Sequence, residues 1–143
     1  MELKKFVPAV VVGFLVMVGL NYVVHNIWLA PVYRDYETVW RVAVVMQRKM
    51  WVMLVGQLLF VVVFVWIYAR GVEEKPWAGQ GIRYGIVMTL LTVVPTASSE
   101  YVVYPIPYTL AVKWMIAGGI ELVLIGLIVA GFQRKTEPQT KAA

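Results

Sequence analysis

Residues 110–132 read LAVKWMIAGGIELVLIGLIVAGF, and this run decides the fold. Apart from Lys113 near its start and Glu121 at its centre it holds no charge, over a length that crosses a hydrocarbon core of about 30 Å as a helix. Lipid supplies no partner for backbone N–H and C=O groups, so only helices or closed barrels span it. Barrel strands need alternating apolar and polar residues, and none alternate here. The same reading holds at residues 6–30, 50–69 and 84–104. The expected fold is therefore an all-α membrane protein, an antiparallel bundle of four transmembrane helices making a single domain over residues 1–143, with a polar tail at 133–143.

Composition agrees. Of 143 residues, 61% are hydrophobic and 15% charged, with a mean hydropathy of +0.75, far from the balance of a soluble domain. The absence of cysteine and the single histidine exclude disulfides, thiolate sites and imidazole-rich metal cages, so neither a metal nor a cofactor is expected. The net charge of +5 comes from Lys and Arg scattered beside apolar runs, which suits membrane flanks rather than nucleic acid. The N-terminal end, the second loop and the tail carry eight such residues, and the first and third loops five. Both termini are then expected in the cytoplasm, with the first helix retained as a signal anchor because its apolar run outlasts a signal peptide.

In the first loop, Tyr33, Tyr36, Trp40 and Val44 recur at helical spacing opposite Arg34, Glu37, Arg41 and Arg48. This predicts a short interfacial helix, serving either as a lid or as a connector in the headgroups. Residues 71–81, with their glycines, acids and proline, read as a compact turn. The third loop, Tyr104-Pro-Ile-Pro-Tyr108, is short and proline-locked, making its flanking spans antiparallel neighbours.

Ionisable groups inside a span cost about 2.5–3.5 kcal/mol on insertion scales, so each needs a reason. Glu121 sits mid-span as a proton or cation site, or else as a carboxyl bonded to Asn21 or Gln57. Near the opposite surface from the termini, His25 and Glu100 lie at matching depth and are expected to pair, forming a group that titrates near physiological pH. Asn21, His25 and Trp28 at i, i+4, i+7 share a face, and Lys113 either joins them or snorkels outward. Pro95 predicts a kink beside the hydroxyls of Thr89, Thr92, Thr96, Ser98 and Ser99, because it removes the donor for the Leu91 carbonyl. Gly118, Gly119, Gly126 and Ala130 mark close helix packing, with Gly126 and Ala130 at small-xxx-small spacing. Aromatic residues at the span ends read as an interface belt.

No H-E-x-x-H, G-x-S-x-G or phosphate-loop pattern occurs. The expectation is a non-enzymatic integral membrane protein, acting as an accessory subunit or a binder of a small lipophilic ligand. Its expected partners are the lipid bilayer and a second copy or a membrane complex. The alternative is a proton-coupled small transporter working as a dimer, with Glu121 as the coupling carboxylate. The segments at residues 25–33, 75–85 and 104–114 resemble small four-span bacterial membrane proteins of the domain-of-unknown-function type, which implies a bacterial inner membrane and no particular chemistry. The short chain and central acid also resemble the small multidrug resistance exporters, but those carry their glutamate in the first helix, where this chain has none.

Overall fold

The structure is a computed structural model and describes residues 2–134. The part of the tail at 135–143 lies outside the described residues. Four helices are long and apolar enough to cross a membrane: Leu3–Trp28, Ala43–Arg70, Trp77–Val103 and Tyr108–Gln133. They form an antiparallel bundle, and no strand occurs among the described residues. Lys5 Nζ donates to the Arg134 carbonyl at 3.3 Å, so the outer ends of the first and fourth spans meet at one end of the bundle.

The third and fourth spans pack most extensively, as the proline-locked connection requires. Their seam is built from glycines. A Cβ at Gly81 would stand 2.6 Å from the Gly126 carbonyl oxygen, and one at Gly85 would stand 2.5 Å from Val123 Cα. Gly81 and Gly85 are one turn apart, so two backbones touch where a side chain would hold them off. The partner of Gly126 and Ala130 is thus the third span of the same chain. Gly118 and Gly119 continue the seam, against Val93 and Thr89.

This seam also corrects the second loop. The helix starts at Trp77, so Gly79, Gln80 and Gly81 lie inside it rather than in a turn. Buried Gln80 clamps the remaining loop, accepting from the Glu73 N–H (2.9 Å) and donating to the carbonyls of Glu73 (3.0 Å) and Lys75 (2.7 Å).

The core occupies the termini half of the bundle. Val61, Phe64 and Val65 of the second span meet Ala9 and Met17 of the first and Leu122, Ile125 and Val129 of the fourth. Tyr84 ties the third span to the second, donating to the Phe64 carbonyl at 2.7 Å and packing edge-on against Phe64 and Tyr68. Beyond Phe60 this packing stops. From Ala43 to Phe60 the second span buries no residue, so its loop half stands away from the third and fourth spans.

Two stretches widen into π-helix, at Val23–Trp28 and Thr89–Val93. The Leu29 N–H reaches the Val24 carbonyl and the Val94 N–H reaches the Thr89 carbonyl, five residues back in each case. Each widening precedes a proline, Pro31 or Pro95. A proline ring crowds the carbonyl four residues before it and offers no N–H, and the wider turn relieves both defects. At Pro95 the structure therefore shows a π segment, where a simple missing bond was expected.

The first loop does hold a short helix, but it does not run along the whole stripe at 33–48. A six-residue helix, Ala30–Asp35, is followed by a 3-10 turn at Glu37–Val39. The chain then turns extended at Trp40, and Val44 and Arg48 already belong to the second span. The loop folds inward instead, with Val39, Trp40 and Tyr33 packed on a second buried cluster of Leu29, Ile106 and Leu110.

Candidate functional site

Where the second span leaves the bundle, a cavity of about 1000 Å³ opens in the loop half, lined by all four spans and the first loop. Asn21, His25, Gln57, Glu100 and Glu121, the five polar residues singled out from sequence, all line it.

Glu121, only 9% exposed, forms part of the cavity base. Asn21 Nδ2 donates to Glu121 Oε1 at 2.8 Å and to the Met17 carbonyl at 2.9 Å. Of the two partners foreseen for Glu121, Asn21 is the one that binds it. Gln57 lines the same space, and its buried Oε1 has no hydrogen-bond partner.

His25 does not pair with Glu100. Its Nδ1 meets the Tyr33 hydroxyl at 2.5 Å, and the same hydroxyl accepts from Trp114 Nε1 at 2.8 Å. The phenol accepts from the indole, which leaves its own proton for the imidazole. Glu100 has no hydrogen bond or ion pair among the described residues. The physical reason is the inward fold of the loop: it brings a neutral donor to the imidazole before a carboxylate one helix away can reach it. Burial pushes the Tyr33 phenol up to about 12; the Trp114 bond opposes this, and the neighbouring Glu100 carboxylate adds to it.

Tyr33 also packs edge-on against Trp40, with ring centres 5.3 Å apart, and Trp40 packs against Trp114 at 6.3 Å. These rings form a ceiling over the cavity. The Trp40 indole N–H is buried there without a partner. Sequence reasoning assigned Tyr33, Trp40 and Trp114 to the interface belt. The signal that could have found them is Pro31, which ends the first span and turns the chain back over it.

One further expectation needs correction. Trp28 does not share the cavity face of Asn21 and His25: the π winding carries it outward, where it is 50% exposed. Lys113 stands 5.9 Å from the centre of that Trp28 ring and not in the cavity. The hydroxyls around Pro95 are mostly spent within their own helix: Thr89, Thr92, Ser98 and Ser99 each donate to the carbonyl four residues back. Among the described residues no group of three or more His, Asp or Glu side chains is placed to hold a metal ion.

No family model, curated protein or solved structure matches this chain.

Proposed function

We propose that this protein is a non-enzymatic integral membrane protein that binds a small lipophilic molecule in the cavity between its second and third spans. One observation carries the reading: a largely apolar space of about 1000 Å³, bordered by polar groups at its base and rings at its ceiling, beside a span with no buried residue from Ala43 to Phe60. Pockets for small molecules have this size and this sparse placement of polar groups. A side opening between membrane helices admits a molecule from the bilayer without a passage through water.

Gly56 supplies the test. It lines the cavity, and a Cβ there would meet nothing within 4 Å. Gly56→Trp should place an indole in the space and obstruct it without disturbing the bundle. In nanodiscs, the environment-sensitive lipophile N-phenyl-naphthylamine should bind wild type saturably and lose that binding in Gly56→Trp at an unchanged melting temperature. Equal binding by both proteins would refute the site.

A second reading is favoured by Glu121, a carboxyl at the base of an open cavity. In a dimeric proton-coupled transporter it would exchange a proton for substrate. Proteoliposome flux under a pH gradient tests this, since Glu121→Gln should abolish coupling. For location we propose a bacterial inner membrane with both termini cytoplasmic, supported by the resemblance and by the eight to five charge asymmetry. Alkaline phosphatase fused at Glu37 should be active, and fused after Lys141 inactive; the reverse result would invert the topology.

A further inference from the structure

The geometry points to a long-chain alkyl amine as the ligand of this cavity, its ammonium group held between Glu121 and Gln57 and its chain lying between the second and third spans. This rests on the cavity being a lipophile site and names the chemistry of that site.

Depth is fixed by Gly13. A Cβ there would touch Val61 Cγ1 at 3.3 Å and Ile125 Cγ2 at 3.6 Å, which places Val61 and Ile125 at one level. One helical turn toward the loops from each stand Gln57 and Glu121. The two therefore face the same cavity at the same depth.

The hydrogen-bond inventory at that level is lopsided. Asn21 has spent its amide donor on Met17 and Glu121, and the Thr92 hydroxyl is spent on Met88. Trp114 has spent its indole N–H on Tyr33. What remains at that level are the second oxygen of Glu121, which meets no donor, and the amide of Gln57, whose Oε1 is orphaned; the unspent donors of the lining beyond that amide, the Thr96 hydroxyl and the Trp40 indole N–H, stand nearer the loops. Glu100 adds an unpaired carboxyl about 15 Å nearer the loops, on the register set by Val93 against Gly118. Arg41 lines the mouth but is exposed, and His25 is held by Tyr33.

A carboxyl with an unused oxygen and no cation beside it at the base calls for a ligand that brings donors and positive charge together. A primary ammonium brings three N–H groups and a charge. An alcohol brings one donor and no charge, a quaternary ammonium brings charge without a donor, and a sulfate is repelled. The chain has room, because the cavity touches the second span at Gln57 and again at Met46, about 16 Å apart at 1.5 Å per residue.

The experiment uses the full chain in zwitterionic nanodiscs, with four dodecyl probes: dodecylamine, dodecyltrimethylammonium, dodecanol and dodecyl sulfate. Binding is read by displacement of N-phenyl-naphthylamine fluorescence, with empty discs and Gly56→Trp correcting for partition into lipid. Dodecylamine should bind at least tenfold more tightly than any of the other three. Glu121→Gln and Gln57→Leu should each weaken it tenfold or more while leaving dodecanol binding unchanged, which also shows that the variants are folded. Dodecanol binding as tightly as the amine, or full amine affinity in folded Glu121→Gln, would overturn the amine assignment and leave the lipophile site standing. Failure of every probe, together with N-phenyl-naphthylamine, would remove the site itself. Should Glu121→Gln fail to fold, Gln57→Leu and the wild-type ranking of the four head groups decide.

Discussion

Gly85→Ala adds one methyl group where two backbones already touch. The new Cβ would lie 2.5 Å from Val123 Cα and 2.6 Å from the Leu122 carbonyl oxygen, whereas carbon pairs rest at about 3.5–4.0 Å. Both obstacles are main chain, so no rotamer change relieves them and the spans must part by about 1 Å. Overpacking costs about 1–3 kcal/mol, and the upper end applies because separation at Gly85 also loosens the Gly81–Gly126 contact one turn away. Alanine recovers about 1 kcal/mol as the better helix former. The balance is a loss of about 2 kcal/mol. Gly19→Ala is the control: a Cβ there meets nothing within 4 Å, so only the helix-forming gain of up to about 1 kcal/mol remains. Reversible unfolding in mixed micelles, followed by circular dichroism, measures both. If Gly85→Ala is as stable as Gly19→Ala, the third and fourth spans do not meet backbone to backbone and the seam is misplaced.

Gln80→Leu should cost about 2–3 kcal/mol, since three loop bonds of about 0.5–1.5 kcal/mol each are lost. Lys75→Ala, which removes only the exposed pair with Glu73, should leave the melting temperature unchanged. The Lys75 contact that holds the Glu73 carboxyl below its ordinary value is solvent-screened. Tyr33→Phe should cost about 1–3 kcal/mol at neutral pH, because the buried Trp114 N–H loses its acceptor. At high pH the sign follows from the raised phenol: the unfolded tyrosine ionises near pH 10, while the folded one stays neutral to about 12. The stability it contributes is full below pH 10 and fades from there to pH 12. Wild type should lose stability across that window more steeply than Tyr33→Phe; parallel melting curves would count against a buried phenol.

The spans were legible because lipid demands uninterrupted apolar length, a requirement written residue by residue into the chain. The meeting of Asn21 with Glu121 was legible for a related reason: a polar group at the middle of a membrane has few partners at its own depth. The His25 pairing was not, because depth matching ranks partners on spans and is blind to a loop that folds inward. Tyr33 is eight residues from His25, but only the turn at Pro31 brings it back. Gly81 misled in the opposite direction: glycine marks turns in water, whereas between membrane helices it marks contact. The expectation that Trp28 shares the face of His25 assumed an ideal helix across a stretch that is wider.

That widening has a bearing on how the chain tolerates changes of length. Each α-helical residue advances about 100° around the axis, so in an unbroken helix Ala97 would sit about 120° away from the stripe of Gly85, twelve positions earlier. The Thr89–Val93 segment absorbs one residue's worth of rotation and returns Ala97, which is buried, to nearly the same phase. The third span is thus two helical wheels joined by a phase slip, one aligned on the glycine seam and the other on the cavity. A single-residue deletion inside 89–93 would dissolve the slip and keep both wheels in alignment. The same deletion between Gly85 and Met88 would leave the slip in place and swing Ala97 and Glu100 away from the cavity by about 100°.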